Sequence, residues 1–262
     1  MGILLAQDGF TNSEANLKKR VQGGPLLEFL KSRADATYYY KQWHGVEALA
    51  SEFWAVANSG GTSAANFAHV VATGPGRWQG DTGTTDNGSI SLVGPIAFLG
   101  DQNAGMEITM QIDDVSENNL EVGFIDAVPG ANASGVSDID TPAATFTDGA
   151  LIQYDNDQTS QVLSFITDGG TANQDVVATA LTVETAMVDN TYITFGIQLV
   201  GNFAYTTTNG IIDANHHAGT TQAAGALEGG TLLAPWIYCR TRNTTAKFPR
   251  ILRVSVWQDW VA

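Results

Sequence analysis

From about residue 66 onward the apolar residues recur at every second position, and a chain so patterned buries them as strands. In MEITMQID, Met106, Ile108, Met110 and Ile112 share one face, with Glu107, Thr109, Gln111 and Asp113 on the other. NLEVGFID repeats this with Leu120, Val122 and Phe124, and YITFGIQLV with Ile193, Phe195, Ile197 and Leu199. Further strands are predicted in FAHVVAT, SISLV, LIQY, QVLSFIT, NFAYTTT, PWIYCRT and ILRVSVW, each bounded by Gly, Asn, Asp or Pro. No helix-period segment of useful length interrupts them, and no fixed repeat points to a propeller or solenoid. The expected architecture is an antiparallel all-β sandwich whose sheets turn one face to the core and the other to water.

Residues 1–58 read differently and are expected to form a short, partly helical N-terminal arm, with the sandwich spanning 59–262. Pro25 suits the first turn of a helix in GGPLLEFLKSR. In WHGVEALASEFWAVAN, Val46, Leu49, Ala50, Phe53 and Ala57 fall at helical spacing. Between them lies TYYYKQW, with Tyr38, Tyr39, Tyr40 and Trp43 in seven residues. Such a cluster forms either a strand or core patch, or a surface that docks on another chain; docking is the favoured expectation.

With 262 residues and 44% hydrophobic content, the chain can bury a large single core. No run reaches the roughly 18 apolar residues of a membrane helix, and Asp8 comes too early for a signal-peptide core, so a soluble protein without an export signal is expected. The net charge of −15 is unevenly spread: residues 1–41 carry +2, residues 42–239 carry −21 and residues 240–262 carry +4. An acidic body repels nucleic acid and anionic membranes, so neither is an expected partner. The basic ends either grip an acidic partner or pair with the body's own carboxylates. The lone Cys239 excludes an internal disulfide and a cysteine zinc site, and the alternation of APWIYCRTR points to a buried structural thiol.

Signatures of catalysis are sparse. Glu107 is the best-placed acid for a glycosidase, but its same-face neighbours Thr109 and Gln111 are not acidic, and paired carboxylates are what that chemistry needs. There is no G-x-S-x-G elbow, and His44 and His69 stand alone. His216 and His217, with Asp213 nearby, lie in a long polar stretch read as solvent loop. GDTGTTDNGS, residues 80–89, lacks the lysine of a phosphate loop and the glutamate of an EF-hand. Asp81, Asp86 and Asn87 offer oxygen ligands to a weak calcium site, but Asn87-Gly88 before SISLV reads first as a type I′ hairpin turn. No cofactor is expected.

The order GRWQGDTGTTDNGSISLVGP, AGMEITMQIDDVSENNLEVGFIDAV, NTYITFGIQLVGNFAYTTTNGIID and LLAPWIYCRTRNTTAKFPRILRVSVWQDWVA resembles the concanavalin A-like (laminin-G-like) jelly-roll domains of structural proteins of tailed bacteriophages. The resemblance covers roughly residues 66–262 and carries no catalytic signature; legume-lectin metal ligands and glucanase acids have no matching residues here. It implies a non-enzymatic virion protein, assembled in the host cytoplasm, that decorates or cements the phage head. Its partners would be the major capsid protein or another virion protein and further copies of itself, a trimer being favoured. Lys18, Lys19, Arg20, Tyr38, Tyr39, Tyr40 and Trp43 would anchor it. The alternative is a carbohydrate-binding module of a phage tail or fibre, with Trp78 or Trp236 as a sugar platform. A glycoside hydrolase acting through Glu107 is the third expectation.

Overall fold

The computed structural model describes residues 38–44, 53–59, 67–70, 76–130, 133–138, 143–157, 161–170, 177–184, 186–213 and 226–259. Their strands are, in order, β1 (Tyr38–His44), β2 (Ala55–Ser59), β3 (Ala68–Val70), β4 (Arg77–Gln79), β5 (Ser89–Val93), β6 (Gly105–Gln111), β7 (Asn118–Ile125), β8 (Val136–Asp138) and β9 (Ala143–Ala144). The series continues with β10 (Asp148–Asp155), β11 (Ser164–Gly169), β12 (Val177–Ala180), β13 (Ile193–Val200), β14 (Phe203–Thr208), β15 (Ile211–Ile212), β16 (Ala234–Thr241) and β17 (Arg250–Asp259). A 3-10 turn, Gly100–Gln102, precedes β6.

Two antiparallel sheets form the sandwich. One runs β15-β14-β13-β6-β17-β4-β3, with β1 also paired to β17; the other runs β12-β11-β10-β7-β16-β5-β2. β17 reaches both neighbours because its start, Arg250 and Ile251, pairs with β4, while residues 253–259 pair with β1. A register shift between Ile251 and Arg253 marks a bulge where β17 follows β6. The predicted alternation holds: Met106, Ile108 and Met110, Leu120, Val122 and Phe124, and Phe195, Ile197 and Leu199 all enter one buried cluster. Cys239 belongs to it, and burial pushes its thiol well above the ordinary range, as expected of a structural cysteine. Among the described residues no helix is long and apolar enough to cross a membrane.

The outer faces differ from expectation. β5, β7 and β10 are buried along their whole length, so polar residues such as Ser91, Glu121 and Gln153 are enclosed and not turned to water. A second apolar cluster explains this for the sheet centred on β7: Val136 and Phe146, from in and beside the β8–β9 hairpin, pack with Leu151, Ile166, Trp236 and Tyr238.

Two local expectations are corrected. Asn87-Gly88 does not turn a hairpin, because β4 and β5 lie in different sheets and residues 80–88 cross between them. Asn87 is left-handed (φ 60°), but Gly88 is not among the positive-φ glycines, as a type I′ pair would require. The crossing is tied instead to the segment before β17: Gly80 N–H donates to Pro249 O (2.8 Å), Thr82 N–H to Lys247 O (3.1 Å), and Lys247 N–H to Thr82 Oγ1 (2.9 Å). The helix expected to run through Ala57 does not, since Ala55–Ser59 is β2, paired with β5. Phe53 and Trp54 meet edge-to-face just before it, and Trp54 is buried in the core. The 58/59 boundary therefore falls inside β2. The helix expected in GGPLLEFLKSR lies outside the described residues.

Candidate functional site

The outer face of the β7 sheet is built around Glu121. The register places it between Gln153 of β10 and Tyr238 of β16, with Trp236 opposite the next outward position, Gly123. Its carboxylate is fully buried and receives four donors: Gly135 N–H (2.7 Å) and Trp236 Nε1 (2.9 Å) on Oε2, Val136 N–H and Gln153 Nε2 (both 3.2 Å) on Oε1. Burial raises its proton affinity, and these donors oppose the rise. The indole of Trp236 stacks on Tyr238 with centroids 5.5 Å apart. Chemically this is a sealed carboxylate that holds a hairpin to a sheet, out of reach of any substrate.

The opposite sheet treats Glu107 similarly. It projects from the outer face of β6 and pairs with Arg253 at 2.5 Å, with less than a tenth of it exposed. Two of the other four C-terminal cations, Arg242 and Lys247, turn inward too. Arg242 forks onto Asp155, which Asn119 Nδ2 also reaches (3.1 Å). Lys247, fully buried, donates to Asp114 Oδ2 at 2.6 Å. Burial pulls the Asp114 carboxyl up, but the Lys247 ammonium and Ser116 outweigh it and bring it down to about 2. Of the two sequence readings for the basic C-terminal end, these three pairs are the self-pairing one.

At one end of the sandwich the described residues leave several side chains exposed. Here the 3-10 turn, the β13–β14 turn and the segment before β16 converge on three glycine backbones. Gly201 N–H donates to Gly100 O (2.9 Å), Asp101 N–H to Gly229 O (2.9 Å), Gly229 N–H to Asn202 Oδ1 (3.0 Å) and Ala226 N–H to Asn202 O (2.8 Å). A side chain at Gly229 would collide with Asp101 and Asn202, so the crossing demands glycine. Asp101, Asn202 and Gly230 are exposed there. So are Ile96 (51%) and Leu232 (49%), on the two segments joined by the Phe98–Leu233 bridge. Behind the junction, Asp148 at the start of β10 is buried, and both its oxygens accept Glu228 N–H at 3.1 Å. Burial, with Asp126 and Glu228 nearby, raises its carboxyl to about 7.

The structure describes only some of the sequence-predicted site residues. Trp78 (1% exposed) and Trp236 (2%) are buried and offer no open platform. Asp81 Oδ1 accepts Gly83 N–H (2.7 Å) in a local turn, and among the described residues no three His, Cys, Asp or Glu side chains converge as a metal site. Asp213 is buried and its Oδ2 accepts Thr182 N–H (2.6 Å) and Val183 N–H (3.0 Å). The backbone of Tyr38, Tyr39, Tyr40 and Trp43 forms β1 against β17. Lys18, Lys19, Arg20, His216 and His217 lie outside the described residues. Sequence reasoning passed over Glu121, although the alternation that put Leu120 and Val122 inward put Glu121 on the outward face, as it did Trp236 and Tyr238.

No protein-family model matches this chain, and no curated protein matches its sequence. Solved structures do resemble it in fold. The apo Crh5 transglycosylase aligns with a TM-score of 0.55 at 10% identity over 83% of each chain. The Emp46p carbohydrate recognition domain, potassium-bound, aligns at 0.52 and 12% over 84% of this chain and 96% of its own. A protein of unknown function, SO2946 of Shewanella oneidensis MR-1, aligns at 0.52 and 10% over 90% and 94%. The fold is thus a concanavalin A-like, two-sheet antiparallel sandwich.

Proposed function

We propose that this protein is a non-catalytic carbohydrate-binding sandwich that receives a glycan at the loop junction around Asp101 and Asn202. The observation that carries this reading is the contrast between the faces and the end of the sandwich. On the faces, Glu107, Glu121 and Asp155 are consumed by internal partners. At the end, an exposed carboxylate and an exposed amide stand near exposed Ile96 and Leu232, the mixture of polar groups and apolar surface that a sugar ring takes. Support comes also from the company of the fold, which includes a transglycosylase and a carbohydrate recognition domain. A glycan array spanning chitooligosaccharides, β-glucans and mannosides, run with and without calcium, tests it. Saturable binding to one class is the expected result, and an array without hits refutes the reading.

The charge map favours a second reading, a virion structural protein anchored by Lys18, Lys19, Arg20 and the Tyr38–Trp43 segment. Its acidic body would stay soluble while the basic N-terminal residues dock on a capsid protein. Removing residues 1–37 spares β1 and should abolish capsid binding; undiminished binding would refute that anchoring.

A further inference from the structure

We infer that Asp148 is a proton-operated latch on the loop junction: protonated, it holds residues 226–231 closed, and ionised, it lets them loosen. The inference rests on the reading of that junction as the glycan site and adds its regulation. Asp148 holds the loop through Glu228 N–H, shared between its two oxygens at 3.1 Å, and through the Thr231 side chain. The next residue, Gly229, is the one that bonds to Asn202 Oδ1 and accepts from Asp101 N–H. Loosening at Glu228 therefore reaches the exposed residues of the junction through a single peptide link.

Burial, with two acidic neighbours, outweighs the Glu228 N–H and Thr231 donors and disfavours the charge of Asp148. It lies opposite Asp126, whose N–H donates to Asp148 O at 2.9 Å, and Glu228 faces it from the loop, so the charged groups bearing on it are both acidic. Asp168 of β11 pairs with Gly149 and so stands on the other face of the sheet. Asp101 meets the loop at Gly229. Glu228 is itself held by the Thr231 hydroxyl at 3.3 Å and lies against Gly170. In the closed loop the Asp148 carboxyl keeps its proton to about pH 7; once water enters, it returns towards its ordinary value of 3.8. The closed state thus binds the proton more tightly, and opening becomes easier by up to about tenfold per pH unit between about pH 4 and pH 7, then levels off.

Hydrogen exchange of the 226–231 segment, measured on the full chain at pH 5 and pH 8 without any sugar and divided by the intrinsic rates, tests this. A peptide from β16 serves as the internal reference. Opening of the segment is expected to rise at least about tenfold relative to β16. Asp148→Asn, which keeps an acceptor for Glu228 N–H and cannot ionise, should abolish the rise. Asp126→Asn should move its midpoint to lower pH. Exchange that is flat in the wild type, or equally pH-dependent in Asp148→Asn, overturns the latch whatever the glycan result. A loop that switches in a protein without array hits refutes only the glycan reading. Glycan affinity that stays constant while the loop switches overturns the coupling between them.

Discussion

Trp236 donates its indole N–H to Glu121 Oε2 at 2.9 Å, across two strands of one sheet and beneath a hairpin that supplies two further donors to the same carboxylate. This contact converts an outward sheet face into a second buried layer. Glu121→Gln puts an amide N–H₂ where one acceptor oxygen stood and confronts two donors with it. A loss of about 2–4 kcal/mol in urea unfolding is expected, with faster exchange in residues 134–146. Trp236→Phe removes only one donor and should cost less. A Glu121→Gln protein within about 0.5 kcal/mol of wild type would show that the hairpin does not rest on this charge.

Glu107 and Arg253 form the counterpart on the other sheet. Glu107→Gln should destabilise by about 3 kcal/mol, because it strands a largely enclosed guanidinium. A double-mutant cycle with Arg253→Met should return a favourable coupling of about 1–3 kcal/mol. Laminarin and alginate should remain uncleaved by wild type and variant alike. Cleavage that Glu107→Gln abolishes would revive the hydrolase expectation.

The two Asn-Gly pairs show what the sequence could and could not disclose. Asn209-Gly210 joins Thr208 to Ile211 with both residues at positive φ, the type I′ hairpin that such a pair signals. Asn87-Gly88 carries the same dipeptide, yet its flanking strands belong to opposite sheets, and the bonds that decide this come from Lys247 and Pro249, about 160 residues away. Strand existence was legible because alternation is local. Sheet membership was not, since it depends on long-range pairing. Ala55–Ser59 failed for a related reason: the helical spacing of Val46 to Ala57 gave way to pairing with β5. At the candidate site, Asp101, Asn202 and Glu228 sit in three segments that no spacing links, so their convergence was invisible until the turns were in place.

Asp114 supplies an acid-side test. Its carboxyl lies at about 2 in the folded chain against 3.8 ordinarily, so its contribution is complete above about pH 4 and is lost as pH falls towards 2. The side chain is 40% exposed, which limits the effect to under about 1 kcal/mol. Asp114→Asn should flatten that limb of the stability profile. An unchanged limb would show that the Lys247 pair persists through the titration.

Gly105 lies directly under the Trp257 indole, whose Nε1 donates to Gln198 Oε1 at 3.1 Å. A methyl at Gly105 would overlap the ring, and Gly105→Ala should cost about 1–3 kcal/mol in thermal or urea unfolding. A neutral substitution would mean that the indole can lift without loss.

The proposed glycan site is the junction of Asp101, Asn202 and the Glu228–Gly229 segment. Isothermal titration of the best array glycan into wild type and into an Asp101→Ala, Asn202→Asp double variant, which keeps an acceptor for Gly229 N–H, tests it most directly. Saturable binding by wild type that falls at least about tenfold in the variant, with unfolding unchanged, is the predicted result; equal affinity for both proteins would contradict it.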